Sequence, residues 1–318
     1  MLQTFLATLP PLLTLFLCLL LGFLLNKCKL LPENSGSVLS KLETYVLVPA
    51  VSFSSFTQYC TPASLKANSS LVLYACLGVC FAVALAIILS YAFKLGDEYK
   101  RNVYRYALTF GNFGFVGNAI VPVILGGDEF LYQYLLFTLP LSFVIYLWGI
   151  PILTPKEKRT GNIFKQILNV PLVTLFAGAI LGLTGIGQQL PGFVTSTVTS
   201  LKDCMGPIAM LLCGFIIADY PFKSLLTDIR VYIATLLRLF VLPIVVLAVL
   251  YLCGARADVL PFALFAFATP LGMNTVVYPA AFGGDPKTGA GMALISHTLC
   301  VVSIPIMYAL FQTIIKFL

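Results

Sequence analysis

Residues 122–128 read PVILGGD, and residues 279–285 read PAAFGGD. In each copy a proline stands four residues before the first glycine of a Gly-Gly-Asp sequence, and the copies lie 157 residues apart in a chain of 318. Self-similarity at half the chain length is the signature of an internal repeat. The pair therefore predicts two related halves, which we assign to residues 1–157 and 158–318.

The composition is that of a membrane protein. Hydrophobic residues make up 59% of the chain and charged residues only 10%, whereas a soluble domain carries about 25% charged residues. Apolar runs of about 20 residues, enough to cross a bilayer as a helix, recur along the chain. We therefore predict an all-α integral membrane protein with ten transmembrane helices, at residues 3–25, 39–57, 68–93, 103–126, 130–154, 165–187, 198–218, 229–253, 259–282 and 288–315.

The basic residues predict the orientation of these spans. Fourteen of the 19 Lys and Arg residues lie in loops after odd-numbered spans, and four lie on the opposite side. Because cytoplasmic loops are enriched in Lys and Arg, both termini are expected outside a cell (plasma) membrane that the chain crosses many times. The net charge of +7 is spread over short loops and forms no basic patch interleaved with aromatics, so we expect the lipid bilayer, and no nucleic acid, as a partner.

Five spans separate the two Gly-Gly-Asp copies. An odd number places the copies on opposite sides of the membrane, with Asp128 outside and Asp285 inside, so the halves are predicted to be inverted five-helix repeats, as in secondary transporters. Pro49 and Pro207 lie 158 residues apart and are each expected to interrupt the second span of their half. The basic central loop (154–162) joins the halves.

Spans four and nine contain residues that a lipid-facing helix disfavours. These residues are Gly111, Asn112, Gly114, Gly117 and Asn118 in span four and Thr269, Pro270, Asn274 and Thr275 in span nine. Glycine weakens a helix by about 1 kcal/mol and proline by about 3 kcal/mol. We therefore expect both spans to be broken helices that cross near the midplane. The alternative is that these small residues only allow close helix packing.

Broken helices at the midplane predict an anion site. Non-helical backbone persists at membrane depth only where protein or a water-filled cavity satisfies it. Half-helix N-termini carry partial positive charge and therefore attract an anion without a lysine. Of the residues in the two spans, Asn112 and Asn274 are the strongest substrate-ligand candidates, because an unpartnered amide at mid-span costs several kcal/mol.

At these residues the chain resembles the auxin efflux carrier family and its bacterial relatives. GNFGFVGNAIVPVILGGD (111–128) is similar to the family's fourth-span signature, and KLETYVLVPAVSFSSF (41–56) is similar to its second span. The resemblance extends over essentially the whole chain. It departs where many bacterial members have a proline two residues after the last glycine, since this chain has Ala119 there and its nearest proline is Pro122.

The resemblance implies the fold of the bile acid/sodium symporters. Spans one, two, six and seven would form a scaffold, and spans three to five and eight to ten a moving transport core. It also implies transport of a small organic anion, such as malate or an auxin-like carboxylate, and a homodimer. Pro49 and Ser52 are the candidates to complete the substrate site from the second span.

Several residues are candidates for binding the ion that would drive transport. Glu43 and His297 are the candidates for carrying a proton, because carboxylates within spans are the usual proton carriers and histidine titrates near neutral pH. The structural alternatives are a solvated boundary charge for Glu43 and a packing role for His297. Sodium would instead use backbone carbonyls and the hydroxyls of Ser52, Ser54 or Thr269. Beyond a coupling ion, H⁺ or Na⁺, we expect no cofactor.

Arg238 is a cation inside a span, eight residues past Arg230. A long arginine side chain can snorkel toward the membrane surface while its stem lies along apolar surroundings. This is the interpretation that we favour for Arg238. The alternative is an ion pair with a substrate carboxylate.

Other classes of function are disfavoured. A single histidine rules out zinc sites of the His-Glu-x-x-His kind, and the cysteines lack metal-ligand spacing, so we expect no enzyme and no metal site. A passive anion channel or a transporter-like sensor remains the alternative to a carrier. A sensor would normally carry a soluble domain, for which the short loop between spans five and six leaves no room.

Overall fold

The computed structural model describes residues 1–155, 169–282, 284 and 286–316, with the backbone alone at 280–282. Most of the basic central loop (154–162) and Asp285 lie outside the described residues. The described part of the chain is helical and contains no strand. We number the main helices α1 (Leu2–Lys27), α2 (35–59), α3 (Ser69–Ala92), α4 (Glu98–Thr109), α5 (Phe113–Leu125), α6 (Asp128–Leu153), α7 (Val170–Leu183), α8 (Gly192–Ala218), α9 (Ile229–Leu252), α10 (Leu260–Phe267), α11 (Asn274–Phe282) and α12 (Lys287–Ile314).

Among the described residues, six helices are long and apolar enough to cross a membrane: α1, α3, α6, α8, α9 and α12. The chain is therefore an all-α membrane protein. The other predicted spans coincide with helices that are short, interrupted or only partly described: α2, the α4–α5 pair, α7 and the α10–α11 pair. The count of ten spans stays a prediction.

Two prolines expected to interrupt helices do not do so. Helix α8 runs unbroken through Pro207. In α2, a π-helical turn at Glu43–Leu47 precedes Pro49, and the helix continues to Tyr59. Proline lacks the N–H that would bond to the carbonyl four residues earlier. In α2 the wider π-helical turn before Pro49 accommodates this missing bond, so the helix does not end there. The expectation of breaks at these prolines is therefore wrong.

The helix interruptions lie at two other places, and they meet. Helix α4 ends at Thr109 and α5 begins at Phe113, while α10 ends at Phe267 and α11 begins at Asn274. Gly111 and Leu271 form an isolated antiparallel β-bridge between the two gaps. The backbone N–H of Asn112 donates to the Pro270 carbonyl at 2.6 Å. The two short extended segments therefore form backbone hydrogen bonds to each other. These bonds stabilise non-helical backbone in an apolar interior.

The first Gly-Gly-Asp copy is a tight turn between helices. Gly126 ends α5 in the left-handed region, with φ +91°, and its amide donates to the Pro122 carbonyl. A glycine in this conformation is a common helix C-cap because it has no Cβ to clash. Asp128 then begins α6. In the second copy Gly283 and Asp285 lie outside the described residues, so the equivalence of the two turns remains a prediction.

The interior is built by close helix pairs. Helix α1 packs along α8, α2 packs against α7 and α8, and α3 packs against α4 and α6. A Cβ added at Gly22 would meet the Leu211 backbone, and one added at Gly214 would meet the Leu19 backbone. The two glycines thus let the α1 and α8 backbones touch, as small residues do between membrane helices.

Candidate functional site

A cavity of about 210 Å³ lies where the two helix interruptions meet. The interrupted segments contribute Gly111, Asn112, Gly114, Asn118 and Asn274 to its wall. The opposite wall is formed by α2, α6 and α7, through residues that include Thr44, Ser52, Thr138, Ser142, Tyr146 and Leu172. The cavity therefore combines an apolar surface with a few amide and hydroxyl groups, which is the usual composition of a small-molecule site.

Asn112 is buried, and its side chain has a defined orientation. Its Nδ2 lies 2.9 Å from His297 Nε2, and His297 Nδ1 lies 2.8 Å from the Ala293 carbonyl oxygen. A carbonyl can only accept, so Nδ1 carries the hydrogen and Nε2 accepts from the Asn112 amide. Within the described chain the Asn112 Oδ1 has no hydrogen-bond partner, so this acceptor is available at the cavity wall.

Asn274 is the first residue of α11 and also borders the cavity. Its Nδ2 donates to the Tyr106 hydroxyl at 2.7 Å, and Tyr106 is buried in α4. Helix α5 begins at the same cavity with Phe113. The first N–H groups of a helix have no intrahelical acceptors. Two half-helix N-termini with partial positive charge therefore face one cavity.

Side chains of helix α12 form hydrogen bonds to both interrupted segments. Ser296 Oγ accepts a hydrogen bond from the Leu271 amide at 3.0 Å, and the neighbouring His297 ring binds Asn112. All four residues are buried. Polar side chains in an apolar interior are stable when they are paired, so these contacts both hold the extended segments and set their relative positions.

Asn118 lies between two cavities. It borders the 210 Å³ cavity and a second cavity of about 850 Å³, whose wall includes Pro122, Asp128 and Lys202. Asn118 is buried, and its Oδ1 has no hydrogen-bond partner among the residues described. Along α5, the first cavity lies toward the N-terminal end and the second toward the C-terminal end. The unpaired amide oxygen thus lies where the two spaces approach each other.

An ion pair crosses the second cavity. Lys202 Nζ on α8 lies 2.6 Å from Asp128 Oδ2, at the start of α6. The Lys202 side chain is 11% exposed and that of Asp128 is 43% exposed. The pair therefore joins two helices that are distant in the chain at the wall of the larger space.

Six of the predicted substrate residues line the first cavity: Gly111, Asn112, Gly114, Asn118, Asn274 and Ser52. The structure places the other five away from its wall. Thr269 and Thr275 bond through their hydroxyls to the Ala266 and Gly272 carbonyls, Pro270 contributes its carbonyl to Asn112, Gly117 packs under Tyr134, and Pro49 is buried in α2.

The two coupling candidates have different surroundings. His297 is paired with Asn112, as described above. Glu43 is 1% exposed, and neither carboxylate oxygen has a hydrogen-bond partner within the described residues. It lies on the π-helical turn of α2, next to Thr44, which lines the first cavity. An ionised carboxylate without a partner is costly in such a place.

The snorkelling orientation expected for Arg238 is wrong. Arg238 is fully buried, and its guanidinium donates to backbone carbonyls of the two interrupted segments. Sequence reasoning also missed the polar wall formed by Thr138, Ser142 and Tyr146 of α6. These residues recur every four positions, a spacing that places them on one helix face and could have identified them.

The fold and its polar cavity at two interrupted helices define a membrane protein of the transport class. The chain belongs to the membrane transport protein family, whose model matches residues 7–308. This match confirms the resemblance to the auxin efflux carrier family. A comparison with individually characterised proteins gave no significant match.

Proposed function

We propose that the protein is a secondary transporter that moves a small organic anion, a carboxylate of the malate or auxin type, across the plasma membrane. The observation that carries the proposal is the convergence of two half-helix N-termini and two asparagines, Asn112 and Asn274, on one cavity. Among the described residues that line this cavity there is no Lys or Arg and no carboxylate. Dipoles and amides would bind the anion without a strong ion pair, which suits a ligand that must also be released.

In the proposed architecture the chain crosses the membrane ten times as two inverted repeats, residues 1–157 and 158–318, with both termini outside. The scaffold would comprise α1, α2, α7 and α8, and the transport core the remaining helices. The mutual packing of α1 with α8 and of α2 with α7 supports this grouping. The first cavity lies between α2 and α7 on one side and α5, α6 and α11 on the other. Movement of the core against the scaffold would expose the site to each side in turn.

A proton is the coupling ion we propose, with His297 or Glu43 as its carrier. His297 touches the substrate candidate Asn112 directly. Glu43 is a buried carboxylate with no partner in the described part of the chain, and it lies beside a cavity-lining residue. Intramembrane ionisable residues of this kind mark proton relays in transporters. The homodimer implied by the family resemblance stays a prediction.

A binding screen followed by counterflow tests the proposed function. Purified protein is heated with mono- and dicarboxylates, with and without sodium, at several pH values, and its melting temperature should rise with at least one carboxylate. In proteoliposomes loaded with that carboxylate, external labelled substrate should accumulate transiently. Non-saturating flux without counterflow would indicate a channel, and absence of any carboxylate effect in both assays contradicts the proposal.

A further inference from the structure

The Arg238 guanidinium joins the two interrupted segments. Its Nη1 donates to the Leu108 and Thr109 carbonyls at 3.1 Å each, its Nη2 donates to Ala266 at 3.1 Å, and its Nε donates to Thr269 at 3.4 Å. The side chain comes from α9, at a π-helical turn over Leu237–Val241. One buried cation therefore bonds to both broken spans at once.

Three of these four acceptors are carbonyls at the end of an interrupted helix, where they lack an intrahelical donor. Leu108 and Thr109 end α4, and Ala266 is the second-last residue of α10. The last carbonyls of a helix have no intrahelical donor and carry the negative end of the helix dipole. Arginine stays protonated in proteins and has five N–H donors and no acceptor, so it matches such a group of carbonyls. The Phe267 ring, 5.7 Å from the guanidinium carbon, adds a cation–π contact.

In other secondary transporters, carbonyls of this kind hold the coupling cation. Half-helix C-terminal ends and unwound backbone carbonyls near the midplane coordinate Na⁺ or take part in H⁺ coupling. Here the carbonyls at the ends of α4 and α10 already accept from Arg238. Among the described residues no carboxylate lies within ion-pair distance of the guanidinium. The carbonyl dipoles are therefore its principal counter-charge.

We propose that Arg238 is the resident cation of the crossover, the place where the gap between α4 and α5 meets the gap between α10 and α11. It occupies the carbonyl group that would otherwise hold a metal cation, fixes α4 and α10 to each other, and makes the crossover independent of sodium. Arg238 is thus a positioning residue, which acts through the two interrupted segments. The inference rests on the proposed transport function for its meaning, but its structural part is tested without any substrate.

Gly111 lies between the Arg238 guanidinium and the cavity. Gly111 lines the cavity, and a Cβ added to it would meet Arg238 Nη2 and the Thr269 hydroxyl. The guanidinium therefore lies directly behind one residue of the cavity wall. Charges in an apolar interior interact over longer distances than in water, so this cation would favour an anion in the cavity without touching it.

The first experiment measures thermal unfolding of the purified chain without substrate, in sodium chloride and in choline chloride at equal ionic strength. The wild type should melt at the same temperature in both salts. Arg238→Ala should melt about 5 °C or more below the wild type, because several buried acceptors lose their donor. Guanidinium chloride at about 20 mM, far below denaturing concentrations, should restore part of that loss. Arg230→Ala, an exposed site on the same helix, is the matched control and should show neither effect.

Three outcomes overturn the proposal: wild-type protein that is stabilised by sodium over choline, an Arg238→Ala variant that melts like the wild type, or a loss that guanidinium does not restore. If Arg238→Ala does not fold, Arg238→Lys and Arg238→Gln replace it. The charged lysine variant should then melt above the neutral glutamine variant, and the reverse order contradicts a cationic role. A wild type that binds no carboxylate in the earlier screen would refute the transport proposal while leaving these melting results intact.

Discussion

Asn112 and His297, which are 185 residues apart in the chain, are joined by a hydrogen bond of 2.9 Å between Asn112 Nδ2 and His297 Nε2. Because Nδ1 donates to the Ala293 carbonyl and Nε2 faces the side-chain N–H of Asn112, Nε2 acts as the acceptor toward Asn112. The bond uses one of the two N–H groups on the Asn112 side-chain nitrogen and leaves the second N–H and Oδ1 without a partner within the described chain. In this state Asn112 can offer an anion one N–H donor, beside an acceptor oxygen that repels it.

Protonation of His297 should reverse this orientation. An imidazolium has two donors and no acceptor, so Asn112 would turn its Oδ1 toward the ring and its amide N–H groups toward the cavity. We therefore expect carboxylate binding to strengthen as the pH falls far enough for His297 to take up a proton. Affinity measured at a series of falling pH values by thermal shift or calorimetry tests the expectation.

His297→Gln is the informative variant, because glutamine can keep a hydrogen bond to Asn112 but does not titrate. It should flatten the pH dependence of uptake while leaving substrate exchange largely intact. Glu43→Gln is the corresponding test of the second proton candidate, and Thr298→Val, at the exposed position next to His297, is the control. If both glutamine variants keep the wild-type pH profile, neither residue carries the coupled proton.

Replacing Asn112 or Asn274 with alanine should abolish detectable substrate binding. Loss of one hydrogen bond to a charged ligand costs about 1.5–3 kcal/mol, or roughly 10- to 150-fold in affinity. Isothermal calorimetry with the best carboxylate from the screen measures the loss. Asn68→Ala is the matched control, since Asn68 bonds to Ser64 and Gln133 and does not line the cavity. If both variants fold and bind within about twofold of the wild type, the crossover is not the substrate site.

Three glycines of the first broken span should differ in their tolerance of alanine. A Cβ at Gly111 would meet Thr269 and Arg238, and a Cβ at Gly117 would meet the Tyr134 hydroxyl. A Cβ at Gly114 would meet nothing within 4 Å. We expect Gly111→Ala and Gly117→Ala to lower the melting temperature, because overpacking costs about 1–3 kcal/mol. Gly114→Ala should leave it nearly unchanged, and equal effects at all three positions would contradict the packing of the crossover.

The Lys202–Asp128 pair should bias the proposed motion between scaffold and core. It joins α8 to the start of α6 at 2.6 Å, and half-exposed pairs of this type contribute about 0–1 kcal/mol. Lys202→Met or Asp128→Asn should therefore change transport by at most about fivefold, the amount by which 1 kcal/mol shifts a two-state equilibrium. Charge exchange, Asp128→Lys with Lys202→Asp, should restore part of the change. A double variant no better than either single variant would show that the pair is not coupled to transport.

Cysteine labelling tests the predicted orientation. In a cysteine-free background, Lys94→Cys and Glu129→Cys place single labels at exposed positions on either side of the interrupted span four. Because the inverted-repeat topology puts these positions on opposite faces, an impermeant maleimide applied outside intact cells should label only position 129. Labelling of both positions from outside contradicts the topology.

Much of the site could be predicted from local sequence. Glycine and asparagine inside the apolar run 103–126, and Thr-Pro before Asn274 in the run 259–282, are poor helix formers, so the region of each interruption followed from propensity alone. The exact positions did not. Proline was the expected breaker, yet Pro49 and Pro207 lie within continuous helices, and α4 ends at Thr109, before any glycine or proline of the motif.

The sequence by itself determined the class of protein, because an apolar run of about 20 residues has few alternatives to a membrane helix. An interrupted membrane helix must in turn be surrounded by protein or line a cavity, since its backbone groups need hydrogen-bond partners. Only the tertiary structure decided which polar groups pair. The sequence around Arg238 is equally compatible with a snorkelling side chain and with one that binds carbonyls. In the same way, it allows His297 to be a packing residue or a partner of Asn112. The partner of a buried polar side chain is chosen by contacts between segments far apart in the chain, here 130 residues for Arg238 and Leu108 and 185 for Asn112 and His297. Local propensity carries no information about such contacts, because they depend on how whole helices pack.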